Sequence, residues 1–233
     1  MSDALHAISS RDQMARLVAA EVADVLEDAV DRHGDAVLIG AGGRTPLGVY
    51  HALARTPISW RSVRVTLTDE RWADPRSPDS NERMIRCALL HDAAAAARFL
   101  PLKSDAASLE EGADRVDRAL QALRRPADVV LLGMGEDGHV ASLFPGSPVL
   151  AEGLEPEGAR HCVAVPAGAP LPVLPRMSLT MSALAGAGRM LLLFTGAAKR
   201  RTYERALEGG DPRELPVRAV LRNARRLRVV WAP

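Results

Sequence analysis

Cysteine is almost missing from this chain: Cys87 and Cys162 are the only two in 233 residues. Two are too few for a disulfide framework, and they stand in no metal-ligand spacing, so both read as small core hydrophobes. Net charge is almost missing as well. Thirty basic against twenty-nine acidic side chains leave +1, which offers no electrostatic footprint for nucleic acid or for an anionic membrane. No apolar stretch approaches the roughly 18 residues of a membrane helix; the longest candidate, Met190 to Phe194, is strand-sized. The opening Met1-Ser-Asp-Ala-Leu-His6 lacks the basic start and apolar core of a secretion signal. Lysine is the last scarcity, for only Lys103 and Lys199 interrupt the arginines among the thirty basic residues. Against that bias an individual surface Arg carries little information and a retained Lys carries more. Together these absences describe a cytoplasmic, metal-independent protein with no nucleic-acid and no membrane partner.

Hydrophobic residues make up 47% and charged residues 25%, the mixture of a soluble globular chain, and the length suits one α/β domain over residues 1–233. Residues 9–33 carry Met14, Leu17, Val18, Val22, Val25, Leu26 and Ala29 at helical spacing, with Ser9 or Ser10 to cap and Gly34 to stop. Ala36-Val-Leu-Ile39 is then a short continuous apolar run, the pattern of a strand buried on both faces. It opens into Gly40-Ala-Gly-Gly-Arg-Thr-Pro46, where Thr45 can cap and Pro46 can start another helix. The alternation continues with strands at 63–67, 128–132, 161–165, 190–194 and 227–231, and helices at 81–90, 105–124 and 196–207. It predicts a doubly wound, mostly parallel sheet with helices on both faces, Rossmann-like in outline.

Ligands of such sheets bind at the carboxyl ends of the strands, and four polar or Gly-rich segments fall there: 40–46, 68–81, 133–139 and 195–199. In the first, Gly42, Gly43 and Thr45 let backbone amides approach an anion, although a plain strand-to-helix turn would look the same. In the second, Asp69 and Arg71 share one face of an extended segment while Glu70 points elsewhere. They can hold sugar hydroxyls and phosphate, or form a structural ion pair. His139 ends Gly133-Met-Gly-Glu-Asp-Gly-His139, a loop too rich in glycine to be selected for packing. An imidazole there can take a proton from water near neutral pH, oriented by Glu136 or Asp137. Lys199 stands in the first turn of a helix, where a bound anion would offset its unfavourable place in the helix dipole.

Taken together, Asp69-Glu-Arg-Trp72 with Ser80-Asn81, the block Gly133-Met-Gly-Glu-Asp-Gly-His-Val-Ala-Ser-Leu-Phe-Pro-Gly146, Arg176-Met-Ser-Leu-Thr180 and Thr195-Gly-Ala-Ala-Lys199 resemble the 6-phosphogluconolactonases, in the right order and over nearly the whole chain. The resemblance implies the sugar-phosphate isomerase type of fold. It also implies hydrolysis of 6-phospho-D-glucono-1,5-lactone to 6-phospho-D-gluconate in the oxidative pentose phosphate pathway, without metal or cofactor, by a monomer or small homo-oligomer. It marks His139 as general base, Asp69 and Arg71 as active-site polar residues, Gly42, Gly43 and Thr45 as the phosphate-side loop, and Arg176 and Lys199 as further basic positions of the substrate side. Glu136 joins Asp69 as a catalytic candidate from its place beside His139, and Arg44 joins the phosphate side from its place in the first loop.

Two departures stand out. The first loop has Ala41 and Arg44 where the family has serines, and Leu171 replaces a Lys between two prolines. Arg44, with its planar fork, can supply the cation lost at Leu171. Glucosamine-6-phosphate deaminases share the Asp-Glu and Asp-Gly-His motifs but continue into Phe-Asn-Glu-Pro, where this chain has Ala141-Ser-Leu-Phe-Pro145. A sugar-phosphate sensor would carry a DNA-binding domain, for which this length and charge leave no room.

Overall fold

The computed structural model describes residues 5–121, 123, 126–168 and 172–233. A seven-stranded sheet, all of its pairs parallel, runs β1-β10-β9-β6-β2-β3-β5. Its strands are β1 (His6–Ala7), β2 (Ala36–Gly40), β3 (Val63–Leu67), β5 (Arg98–Phe99), β6 (Val129–Gly133), β9 (Arg189–Thr195) and β10 (Leu227–Ala232). The helices are α1 (Arg11–His33), α2 (Leu47–Ala54), α3 (Asn81–Ala88), α4 (Leu109–Gln121), α5 (Leu150–Leu154), α6 (Met181–Leu184), α7 (Ala197–Leu207) and α8 (Val217–Asn223).

Local chemistry accounts for much of this. Ser10 accepts the Gln13 amide at the start of α1, and Gly34 ends that helix in the left-handed region with its N–H on the Val30 carbonyl. Every residue of β2 is buried, and because side chains alternate between faces, both faces of the strand are covered. Each fully buried Val or Leu in such a strand contributes about 1.5–3 kcal/mol of transfer free energy.

One expectation needs correcting. The 161–165 strand, β7 (Cys162–Val165), does not extend the parallel sheet. It belongs to a second, antiparallel sheet ordered β4-β8-β7, with β4 (Asp69–Arg71) and β8 (Arg176–Leu179). Thr68 joins the two sheets: its N–H reaches the Gly40 carbonyl of β2, and its carbonyl accepts the Leu179 amide of β8. The two-residue strands β1 and β5 also escape sequence reading, because two residues carry no periodicity. The 105–124 helix spans Leu109–Gln121, its expected end falling partly on undescribed residues.

The chain order places the site. From β2 the connections run one way through β3 to β5, and from β6 the other way through β9 to β10. The direction reverses between β2 and β6, and a crevice opens where the loops after them diverge.

Candidate active site

The loop after β2 forms the first wall. The fully buried Tyr50 hydroxyl donates to the Ala41 carbonyl at 2.7 Å. Gly42 lies so close to the Asn81 side-chain amide that a Cβ would collide with it, and Gly43 has φ +87, a conformation that favours glycine. Thr45 makes no capping bond to α2, contrary to the sequence expectation; α2 begins at Leu47 without a side-chain cap, and Thr45 faces the crevice instead.

Strand β4 forms the second wall, and alternation along it separates two carboxylates. Glu70 points toward the start of α3. It accepts the Arg71 amide at 2.7 Å, the Ser80 hydroxyl at 3.0 Å, the Asn81 amide at 2.8 Å and the Glu82 amide at 2.6 Å. Burial pushes its pKa up while these four donors pull it back.

Asp69 and Arg71 face the crevice, but they are not each other's partner. Asp69 accepts the Ser142 hydroxyl at 2.6 Å and the Thr68 hydroxyl at 3.1 Å, with Arg176 Nη1 3.7 Å away. Arg71 donates to the Asp79 carbonyl. The expected Asp69–Arg71 pair is thus replaced by Asp69–Arg176, because β8 lies antiparallel to β4 and brings Arg176 alongside. Arg71 and Arg176 stand directly opposite each other in that ladder, a like-charge pairing that costs stability unless an anion lies between them. The buried Nε atoms of both have no hydrogen-bond partner among the described residues.

The third wall is the loop after β6. Its geometry centres on His139, whose Nδ1 lies 2.6 Å from Asp137 Oδ1; the His139 amide also donates to that oxygen at 3.1 Å. Gly135 sits where a Cβ would overlap both side chains. The loop is fastened by the Gly135 amide on the His139 carbonyl, the Val217 amide on the Gly138 carbonyl and the Thr202 hydroxyl on the Glu136 carbonyl. Burial alone would raise the Asp137 pKa, but the imidazole beside it holds the carboxyl below its ordinary range. Glu136 and Asp137 are both exposed, and the one bonded to the imidazole is Asp137.

Phe144, later in the same segment, packs against the His139 ring with centroids 4.4 Å apart, and the Arg176 guanidinium lies 5.3 Å from the Phe144 centroid. Phe144 and Ser142 fall inside the 133–146 block that carries the resemblance, but nothing in their residue types or spacing assigns either of them a part in the site. Asn81, which lines the crevice and donates to the Asp69 carbonyl at 2.9 Å, is signalled by its place in the 68–81 segment and by the Ser80-Asn81 pair within the resemblance.

All four segments at the strand ends therefore meet in one cleft of about 180 Å³. Arg44, Arg71, Arg176 and Lys199 line it, against Asp69 as the one lining carboxylate among the described residues. Burial draws the Lys199 ammonium below its usual range; the charge of Glu136 opposes this and that of Arg44 adds to it. A small, polar, cation-rich cleft beside an imidazole suits an anionic metabolite and proton transfer to or from it. Leu171 lies outside the described residues.

Comparison with known proteins follows the same direction. Residues 9–231 match the family described as glucosamine-6-phosphate isomerases/6-phosphogluconolactonase. A 6-phosphogluconolactonase of Pseudomonas aeruginosa is 43% identical over 224 residues, which cover 96% of this chain and 92% of that protein. One from Mesorhizobium japonicum is 43% identical over 229 residues, covering 98% and 94%. Among solved structures, a 6-phosphogluconolactonase from Shewanella baltica superposes with a TM-score of 0.94 at 36% identity, covering 98% of this chain and 97% of the other.

Proposed function

The chain belongs to the family of glucosamine-6-phosphate isomerases and 6-phosphogluconolactonases, and from that premise we propose that it hydrolyses 6-phospho-D-glucono-1,5-lactone to 6-phospho-D-gluconate with His139 as general base. The observation that carries this reading is the His139 imidazole, bonded to Asp137, lining a cleft that Arg44, Arg71, Arg176 and Lys199 also line.

The phosphate docks on the Gly42–Thr45 loop, with Arg44 and Lys199 supplying positive charge. Asp137 accepts the Nδ1 proton and thereby leaves the Nε2 lone pair of His139 free for water. The imidazole, its side chain 29% exposed, is accessible to that water. Nε2 takes a proton, the hydroxide oxygen bonds to C1, and the carbonyl electron pair moves onto its oxygen. Loop amides or a guanidinium of the Arg71–Arg176 pair receive the developing charge. The C1–ring oxygen bond then breaks, and the departing oxygen takes the proton back from the imidazolium. Asp69 contributes by holding Arg176, directly and through Ser142.

The test is hydrolysis of freshly generated lactone by the wild type and by His139→Ala, with spontaneous opening subtracted. We expect acceleration by the wild type and a loss of about 10² to 10⁴ in kcat for the variant, the range of a general base. Equal rates in the two proteins would remove His139 from the mechanism, and no acceleration by either would remove the activity.

A further inference from the structure

Beyond His139 the chain makes a turn that has no evident purpose in the sheet. The Leu143 amide donates to the Val140 carbonyl at 2.9 Å, and the two residues form an isolated antiparallel bridge. Ala141, the second residue of this turn, has φ +50, the left-handed region that a residue with a Cβ avoids. Such a conformation persists only where the surroundings hold it. Ser142 does so: its amide donates to Ser178 Oγ at 3.1 Å, and its hydroxyl donates to Asp69 Oδ2 at 2.6 Å.

The turn brings Phe144 back against the imidazole, at 4.4 Å between centroids and 43° between planes. The same ring carries the Arg176 guanidinium at 5.3 Å from its centroid. One aromatic side chain, which does not itself line the cleft, is therefore in contact with the base and with a cation of the opposite wall. A π face stabilises a cation against it and leaves a neutral ring almost unaffected.

We propose that Phe144 is a positioning residue for the reaction: its ring fixes His139 relative to Arg176 and stabilises the imidazolium that forms when His139 takes the proton from water. The kinetic side of this inference rests on the lactonase reading; its spectroscopic side does not. Asp137 is bonded to His139, and the charged groups that line the cleft with the imidazole are Arg44 from the loop after β2, Asp69 and Arg71 from β4, Arg176 from β8 and Lys199 from α7; none of them is replaced in the variants below.

Two replacements of Phe144 separate the π face from the volume it fills. Phe144→Leu removes the face, and 3,5-difluorophenylalanine at the same position keeps the shape while weakening it; Phe144→Tyr restores it. The readouts are kcat and KM for lactone hydrolysis, and the NMR titration of the His139 C2–H in the free enzyme, assigned by its loss in His139→Ala. For Phe144→Leu we expect kcat to fall about tenfold with KM within about twofold, and the His139 titration midpoint to move down by about half a pH. The difluoro variant moves both readouts in the same direction by less, and Phe144→Tyr behaves as wild type.

A kcat and a titration midpoint that are unchanged with difluorophenylalanine would overturn the proposal, whatever the Leu variant does, because only packing would then be at stake. If the wild type leaves the lactone unopened, the functional reading fails while the titration still decides the stack.

Discussion

The two sides of β4 are built from the same kinds of side chain and behave as opposites. On the α3 side, the Glu70 carboxylate meets four donors, three of them backbone amides, from Arg71 beside it and from Ser80 to Glu82 at the start of α3. On the cleft side, Arg71 and Arg176 stand opposite each other with buried nitrogen atoms that bond to nothing among the described residues. A charged group whose bonding capacity is satisfied inside the chain is part of the scaffold. One held in place with capacity to spare, beside a like charge, is arranged for something that is not the chain. Asp69 lies between these extremes, facing the cleft yet bonded to Ser142 and Thr68 and flanked by Arg176.

Three measurements bear on that contrast. The largest effect should come from Glu70→Ala. It leaves the Ser80 hydroxyl and the Asn81 and Glu82 amides without their acceptor, and at about 1–3 kcal/mol for each buried orphan the loss should reach about 3 kcal/mol or more. Thermal unfolding should show this as a drop in Tm of about 6–12 °C; a Tm within a degree or two of wild type would erase the distinction between the two sides.

Arg71→Met should do the reverse. It removes a cation from the cleft while keeping an aliphatic stem, so we expect KM to rise about tenfold, the worth of one charge-assisted contact to phosphate or oxyanion. Its Tm should stay level or rise slightly, because the like-charge pairing with Arg176 is relieved. A lower Tm with an unchanged KM would place Arg71 on the scaffold side.

The smallest effect concerns pH. Burial depresses the Lys199 pKa below its ordinary 10.5, so the free protein loses that ammonium charge at a lower pH than a solvated Lys does. Anion binding requires the charged form. Affinity for 6-phosphogluconate, measured by calorimetry, should therefore decline as pH rises through the depressed value. The phosphate itself is fully ionised well above its second pKa near 6 and contributes no slope there. Lys199→Met should bind more weakly and flatten this dependence. An identical slope in wild type and variant would assign the titration to another group.

Much of the arrangement is legible from local chemistry. Continuous apolar runs mark β2, β6 and β9, whose apolar residues are buried on both faces, while β3 and β10 are Val- and Leu-rich runs each interrupted by a partly exposed arginine. Ser10 and Gly34 bound α1 by capping rules that act within one turn of the chain. Alternation along an extended segment already separates Glu70 from Asp69 and Arg71. The convergence of four polar segments follows from the rule that parallel sheets bind at their carboxyl ends, and the cleft is lined by residues from all four.

What escapes is what depends on pairing between distant segments. The antiparallel partnership of β4 with β8 joins residues more than a hundred positions apart, and it gives Asp69 to Arg176 rather than to Arg71. The choice of Asp137 over Glu136 depends on which way a glycine-rich loop turns, and that is set by bonds to Thr202 and Val217 in α7 and α8. Phe144 reads as a core residue until the Ala141 turn folds it under His139.

By itself, then, the sequence determined the longer helices and the main strands of the parallel sheet, the edge at which they open and the side chains available there, because propensity, capping and alternation act over a few residues. Only the tertiary structure decided which of those side chains bond to one another, because a hydrogen bond or an ion pair depends on distances of a few ångströms between parts of the chain whose order in sequence says nothing about their separation in space.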